Sequence, residues 1–338
     1  MILILISLII NFFFILNYKK ISSIINLYDY PGKKRKIHSK KVPLIGGIII
    51  YINFFLLLIF VVSIPDFFEE NLKSFFNKKS NFINLFFISG FIMFLGIYDD
   101  KKNLNAYLKL LILIIFTYIL LTFNNDLIID SIFLISLNFE FFTHNYAIFF
   151  TILCFLLFIN ASNLYDGINL QLGPYFIFIF FIFIFKLELL LFSILFLIPL
   201  FVFCYLNYNG KIFLGNSGAY FISFLIASIL IIQNNLDTVI SPEEIFLIMS
   251  IPGLDMLRLF IYRIFKKKNP FSADKEHLHH YMIINFNMRV SQVYIFLLNI
   301  IPFCLYQFYK SLYVIFATIA AYILIYILLF IKKKRNVN

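Results

Sequence analysis

Adjacent acidic side chains repel, so a carboxylate pair favours a proton, a cation or a metal on at least one of its members. Asp99 and Asp100 form such a pair, directly after Gly96-Ile97-Tyr98 and before Lys101 and Lys102. Paired carboxylates suit a general base, or a magnesium ion that completes its shell with substrate phosphate oxygens. A solvated pair neutralised by the two lysines is the plainer alternative. Further along, Asn160-Ala-Ser-Asn163-Leu-Tyr-Asp166-Gly167 sets two amides and a carboxylate three residues apart. On a helix that interval stacks them along one face, where they could hold a sugar and a metal-bound diphosphate. Helix-end capping, with Gly167 as the stop, would use the same residues. Phe213-Leu214-Gly215-Asn216-Ser217-Gly218 reads as a glycine-rich helix start, whose free N–H groups and dipole attract phosphate; tight packing at a turn explains it as well. His277-Leu278-His279-His280 closes the series, in a loop with Lys266, Lys267, Lys268 and Lys275. Its spacing is not that of a helical zinc pair and no cysteine lies near, so these imidazoles are read as donors to a phosphate or a sugar.

The elements that must position these clusters are membrane helices. The chain has 338 residues, 62% hydrophobic and 13% charged, against about 25% charged in an ordinary soluble domain. Soluble enzymes, disulfide scaffolds and disordered chains are excluded. Cys154, Cys204 and Cys304 sit singly in apolar runs, with no metal or redox spacing. Apolar runs predict about eleven spans, near 2–17, 43–64, 82–97, 106–123, 146–161, 172–186, 189–206, 217–233, 244–264, 290–309 and 312–331. The expected fold is an all-α polytopic membrane protein, one domain over 1–338, with active-site loops on the cytoplasmic side. Region 124–145 is expected outside, with Leu127 to Phe141 as a β-hairpin or re-entrant piece. Positive charge follows the first span instead of preceding it, at Lys19, Lys20 and the cluster from Lys33 to Lys41. The N-terminus is therefore expected outside and the Lys332-Lys333-Lys334-Arg335 tail inside, with 18–42 and 265–289 as the main cytoplasmic loops. This topology places 23 of the 28 Lys and Arg residues inside, as the positive-inside rule requires. It also gathers every cluster named above on the inner face, together with Asn169, Asp255, Arg258, Arg263 and Asp274. Acidic groups in or beside spans are functional suspects.

These clusters, in this order from Asp29 to His280, resemble the polyprenyl-phosphate N-acetylhexosamine-1-phosphate transferase family. Asp29-Tyr30-Pro31-Gly32-Lys33-Lys34-Arg35-Lys36-Ile37-His38, with Pro43 and Gly46-Gly47, is similar to the family's first cytoplasmic loop. Tyr98-Asp99-Asp100, with Leu104 and Lys109, is similar to its aspartate-pair motif, and Asn160 to Gly167 to its Asn-x-x-Asn-x-x-Asp-Gly motif. Pro270-Phe271-Ser272-Ala273-Asp274-Lys275-Glu276-His277-Leu278-His279-His280 is similar to its histidine motif. The His-Leu-His-His pattern looks more like the branch using simple UDP-N-acetylhexosamines than the muramoyl-pentapeptide transferases of peptidoglycan synthesis. Two departures stand out. Asn216 occupies a position where the family generally has an aspartate counted as a magnesium ligand, and Asn169-Leu170-Gln171 replaces a frequent Gly-Leu pattern.

The resemblance implies a bundle of ten or eleven helices in a bacterial plasma membrane. It also implies transfer of N-acetylhexosamine-1-phosphate from a UDP-N-acetylhexosamine to undecaprenyl phosphate, to initiate a surface polysaccharide. In that reading Asp99 accepts the lipid-phosphate proton or acts as nucleophile, and Asp100 holds the metal or orients Asp99. Asp166 and Asn216 face Mg2+, with Mn2+ as an alternative. Arg35, Lys36, His38, Lys109, Asn160, Asn163, His277, His279 and His280 bind substrates. The lipid bilayer is a partner, a homodimer through outward-facing helices is compatible with the pattern, and no nucleic acid is expected. A transporter would need polar groups at mid-bilayer. A catalytically silent homologue is the other alternative, motivated by Asn216.

Overall fold

The computed structural model describes residues 1–31, 40–236, 239–270 and 275–337. Arg35, Lys36, His38 and Asp274, named above, lie outside the described residues. Helices account for most of the described residues: α1 (Ile2–Ile25), α2 (Gly46–Ser63), α3 (Phe67–Asn71), α4 (Lys79–Lys102), α5 (Ala106–Phe123), α6 (Ala147–Tyr165), α7 (Leu172–Leu187), α8 (Leu190–Tyr208), α9 (Gly215–Leu236), α10 (Pro242–Phe265), α11 (Leu278–Asn285), α12 (Met288–Tyr309) and α13 (Leu312–Val337). Two short antiparallel pairs complete it, β1 (Tyr28–Asp29) with β2 (Val42–Pro43), and β3 (Ser131–Leu134) with β4 (Phe139–Phe142). Ten helices among the described residues are long and apolar enough to cross a membrane, and the eleventh expected span, α7, is apolar over a shorter 16 residues. The protein is an all-α polytopic membrane protein. Its expected external segment forms the β3–β4 hairpin, turned at Asn138 with φ 47°.

Helix ends follow local chemistry. Ser241 caps α10 in a full capping box with Glu244, Pro242 follows at the first turn, and Asn287 caps α12 through Val290 N. Asn26, Asn103 and Lys310 end α1, α4 and α12 in the left-handed conformation. α1 runs to Ile25, well past the expected end at 17, because nothing in Tyr18-Lys19-Lys20 breaks a helix once the apolar stretch has formed it. The aspartate pair likewise lies in the last turn of α4 and not in a loop.

α9 is the axis of the bundle and is almost wholly buried. Glycines let its neighbours touch it backbone to backbone. A Cβ on Gly96 of α4 would stand 2.4 Å from Ser217 Cα, and one on Gly47 of α2 would stand 2.4 Å from Gly218 Cα. Small residues at helix crossings are how membrane helices gain packing without a hydrophobic driving force. A polar clamp ties α1 to α2 inside the membrane, where Ser7 Oγ donates to Asn53 Oδ1 at 2.6 Å and Asn11 Nδ2 donates to the same oxygen at 2.9 Å.

The β1–β2 pair brings both ends of the first loop to the start of α9. Phe213 N donates to Pro43 O at 2.8 Å, Gly46 N to Phe213 O at 3.0 Å and Gly47 N to Leu214 O at 3.1 Å. This short ladder fixes where α9 begins, and with it the position of Gly215 and Asn216.

Candidate functional site

The aspartate pair is split between two environments. Asp99 is 1% exposed and receives four donors. Lys109 Nζ of α5 lies 2.7 Å from its Oδ2, Asn216 Nδ2 2.9 Å and Tyr220 OH 3.0 Å, while Leu104 N donates to Oδ1 at 2.9 Å. So many donors are what a charge taken out of water needs. Asp100 points elsewhere. Its Oδ1 accepts Asn216 N at 3.0 Å and its Oδ2 accepts Ser217 N at 3.3 Å, so a carboxylate sits on the positive end of α9. The helix start expected to receive phosphate is therefore already engaged by Asp100. Gly215 permits this approach: its φ is +78°, and a Cβ there would stand 2.7 Å from Asp100 Oδ2.

The second half of the site comes from the end of α6 and from α11. α6 stops at Tyr165, so Asn163 lies in its last turn and Asp166 is the residue after it, with φ −73° and ψ 70°. The three-residue stripe is thus broken. Asn160 donates to Leu156 O of its own helix at 2.7 Å and stands back from the cleft wall, whereas Asn163 and Asp166 line it. Asp166 opens to the cleft, and desolvation by the protein around it pushes its carboxyl up to about 7. A cation placed beside it would reverse the shift. Gly167 supports the histidine cluster from below: a Cβ there would lie 2.0 Å from His279 Nε2.

His277 and His279 stack with ring centroids 5.3 Å apart, and His280 lies tilted against His279 at 4.3 Å. His279 is 3% exposed; burial, with His280 and His277 beside it, holds its imidazole well below the usual histidine range. His277 is oriented from α10, its Nδ1 donating to Asp255 Oδ2 at 2.9 Å. Asp255 Oδ1 also accepts Arg258 Nη2 at 2.8 Å, Tyr322 OH at 3.0 Å and Leu278 N at 3.1 Å. Asp255 and Arg258 thus brace the histidine loop, and Arg263 Nη1 holds Pro270 O at 2.7 Å in the same stretch.

These segments enclose one cleft of about 830 Å³ on one face of the bundle. Its walls come from the ends of α1 and α4, the β1 strand, the loop after α6, the start of α9 and the histidine motif, with Asp100, Asn163, Asp166, Asn216, His277, His279 and His280 among them. Asp99 and Lys109 are not in its wall; they lie behind Asp100 and Asn216. Of the pair, Asp100 is the member that opens to the cleft.

Tyr220 and Tyr322 were not singled out by sequence. Tyr220 stands one helical turn from Asn216, an i+4 signal available in hindsight. Tyr322 arrives from α13 with no local signal. Two cleft carboxylates, Asp100 and Asp166, with amide oxygens from Asn163 and Asn216, make an oxygen donor set that fits a hard divalent cation. Among the described residues no group of three acidic, histidine or cysteine side chains is gathered to hold a metal unaided, so such an ion would draw ligands from substrate phosphates.

The chain is similar to known proteins over the segments that build this cleft. Residues 82–234 match the model for Glycosyl transferase family 4, which covers α4 to α9 and so the aspartate pair, the Asn163–Asp166 loop and the α9 start. The undecaprenyl-phosphate alpha-N-acetylglucosaminyl 1-phosphate transferase of Escherichia coli O157:H7 is 27% identical over 78% of this chain and 70% of its own length. The probable undecaprenyl-phosphate N-acetylglucosaminyl 1-phosphate transferase of Bacillus subtilis (strain 168) is 26% identical over 84% of this chain and 77% of its own. A Thermotoga maritima protein named as the first is 28% identical over 73% of this chain and 69% of its own.

Proposed function

We propose that this protein transfers N-acetylhexosamine-1-phosphate from a UDP-N-acetylhexosamine to undecaprenyl phosphate, as the first step of a cell-surface polysaccharide in the bacterial plasma membrane. The observation that carries the reading is the polar cleft at one end of the helices, where the four motif segments meet. One reactant is a soluble dianion and the other is anchored in lipid, so their meeting place must be polar and at the membrane boundary.

In the reaction a phosphate oxygen of the lipid attacks the sugar-bearing phosphorus of the UDP-sugar. A new P–O bond forms, the P–O bond to UMP breaks, and UMP leaves with the electron pair. Both reactants are anions, so catalysis is chiefly positioning and charge neutralisation. A bound Mg2+ or Mn2+ would neutralise the diphosphate, held by Asp100, Asp166 and the amide oxygens of Asn163 and Asn216. Asp100 would accept a proton from the lipid phosphate or orient it. Asp99 would act as a positioning residue, fixing Asn216 and Lys109 around it. His279, kept neutral by its surroundings, can donate one hydrogen bond and accept another, which suits a sugar hydroxyl or amide. His277, aligned by Asp255, and His280 complete that wall. Arg35, Lys36 and His38 would steer the anionic substrates from the first loop. The cleft faces the cytoplasm in this reading, with the N-terminus outside and the C-terminal tail inside.

The test is a lipid-labelling assay in membranes, with a panel of radiolabelled UDP-N-acetyl sugars and butanol extraction. One of them should yield a labelled lipid, lost with EDTA and with Asp100→Asn. Absence of labelled lipid with every sugar, at verified protein levels, would refute the reading.

A further inference from the structure

The last helix, α13, turns Phe316, Ile323, Leu324 and Leu328 outward, all of them exposed. Its inward stripe has a different chemistry. Tyr322, Tyr326 and Phe330 stand four residues apart and share one face. Tyr322 is 4% exposed, and its hydroxyl accepts Arg258 Nε at 3.0 Å while donating to Asp255 Oδ1 at 3.0 Å. The Arg258 guanidinium lies over the Tyr326 ring, 4.1 Å from its centroid. Tyr281 of α11, the residue after His280, packs its ring against both Tyr326 and Phe330. Arg258 closes the circuit, since its Nη2 donates to Asp255 Oδ1 at 2.8 Å and to the carbonyl oxygen of Glu276, the residue before His277, at 2.5 Å. The last helix thus grips the histidine segment at both ends.

Packing alone does not call for a hydroxyl at position 322. A phenylalanine would fill the same space, as Phe330 does further along the stripe. What the hydroxyl adds is a bridge that accepts from the arginine and donates to the aspartate. With Arg258, Tyr322 and Leu278 N all on Oδ1, the Asp255 carboxylate is held against rotation. Its other oxygen, Oδ2, meets His277 Nδ1 at 2.9 Å. An ionised carboxylate only accepts, so the imidazole proton sits on Nδ1, and in the neutral ring Nε2 is the nitrogen left to accept. His277 lines the cleft, which offers that acceptor to a bound substrate. We propose that Tyr322 is a positioning residue for this site, fixing through Asp255 the tautomer and tilt of His277 so that Nε2 accepts from a hydroxyl or acetamido N–H of the sugar. The inference rests on the transferase reading above. It makes α13 part of the site, although none of its described residues lines the cleft.

The experiment has a spectroscopic arm and a kinetic arm, both on the full-length protein in nanodiscs. Nitrogen NMR on isotope-labelled histidine needs no turnover, and the His277 signals are identified by their loss in His277→Gln. At a pH where imidazole is neutral, wild-type His277 should show a protonated Nδ1 and a bare Nε2. This tests the geometry without any substitution at Tyr322. Tyr322→Phe should shift the His277 signals and leave those of His144, next to the β3–β4 hairpin, in place. A wild-type proton on Nε2, or His277 signals unmoved by Tyr322→Phe, would overturn the proposal. In the kinetic arm Tyr322→Phe should raise KM for the UDP-sugar by about fivefold, the weight of one hydrogen bond, with kcat and the acceptor KM nearly unchanged. In a His277→Gln background the same substitution should change KM no further. A full second increase there would show that Tyr322 serves the fold alone, and would also overturn the proposal. The expected His277 signals without any sugar–lipid product would keep the positioning and remove the transferase reading; product formation with His277 unmoved would do the reverse.

Discussion

Asp99 and Asp100 are neighbours in sequence with different surroundings, so the same substitution should act on them differently. Asp100→Asn keeps an acceptor for Asn216 N, gives up the longer 3.3 Å contact to Ser217 N, and removes a charge from the cleft. Turnover should fall at least a hundredfold, about 2.7 kcal/mol of barrier, while the thermal midpoint in detergent stays near wild type. Asp99→Asn should lower both, because it strips Lys109 of its partner in a buried pair. Equal stability loss in the two variants would refute the distinction. Asn216 is where the chain departs from its resemblance. Its amide donates to Asp99 Oδ2 at 2.9 Å, which an aspartate could not do. Asn216→Asp should therefore reduce thermal stability in EDTA and reduce the magnesium concentration for half-maximal activity, since it adds a negative charge toward the cation. An unchanged magnesium midpoint would take residue 216 out of the metal site. His279 carries a pH signature. Its folded pKa lies below the unfolded value of about 6.5, so below that pH the unfolded chain binds a proton the folded chain refuses. Stability should thus fall as pH drops through 6.5, by up to about 1.4 kcal/mol per pH unit, and His279→Gln should flatten that slope in pH-dependent melting.

At the scale of elements, the decisive contacts are backbone against backbone. α2 and α4 meet α9 at Gly47 and Gly96, where a Cβ would come within 2.4 Å of main-chain atoms that cannot move aside. Gly96→Val should separate α4 from α9 and, with them, Asp99 from Asn216 and Tyr220. Folded protein should be largely lost on size-exclusion chromatography. Gly253 of α10 has nothing within 4 Å of its Cβ direction, so Gly253→Ala is the matched control and should fold normally. Folded Gly96→Val with wild-type activity would show that the α4–α9 contact does not set the site. On the face opposite the cleft, the hairpin is fastened by the side chain of Glu243, which accepts Ser136 N at 2.9 Å and Ser136 Oγ at 2.5 Å. Nearby, Glu244 gathers Lys186 and Lys310 at 2.5 and 3.0 Å. These acidic groups join α7, α10 and α12 at the end of the bundle remote from the cleft.

For the molecule as a whole, the charge pattern is what predicts an orientation in the membrane. The formal net charge is +11, and on the topology argued from it the basic residues crowd the cleft side. A cysteine at Lys268, in a background lacking Cys154, Cys204 and Cys304, should react with an impermeant thiol reagent after the inner side is opened and not before. A cysteine at Asn77, in the segment between α3 and α4, should react in intact cells. The reverse pattern would turn the cleft away from the cytoplasmic nucleotide and overturn the proposed reaction.

Much of this architecture was legible in the chain itself. Hydropathy alone marked the ten helices long and apolar enough to cross a membrane, and the shorter α7, because a membrane leaves the backbone no alternative to an internally bonded helix. The ordered clusters Asp99-Asp100, Asn163 to Asp166, Asn216 and His277 to His280 pointed to one polar site, since the topology read from the charges puts all of them on the same face. What sequence could not settle was direction. Consecutive residues on a helix point about 100° apart, so nothing local distinguishes Asp99 from Asp100. The rotation of α4 against α9, decided by glycine contacts between segments far apart in the chain, turned one carboxylate inward to Lys109 and Tyr220 and the other to the cleft. The same holds for Asn160, drawn back onto its own helix while Asn163 and Asp166 face the cleft, and for Tyr322, brought to Asp255 from another helix. Local chemistry determined which residues could do the work; long-range packing determined which of them face it.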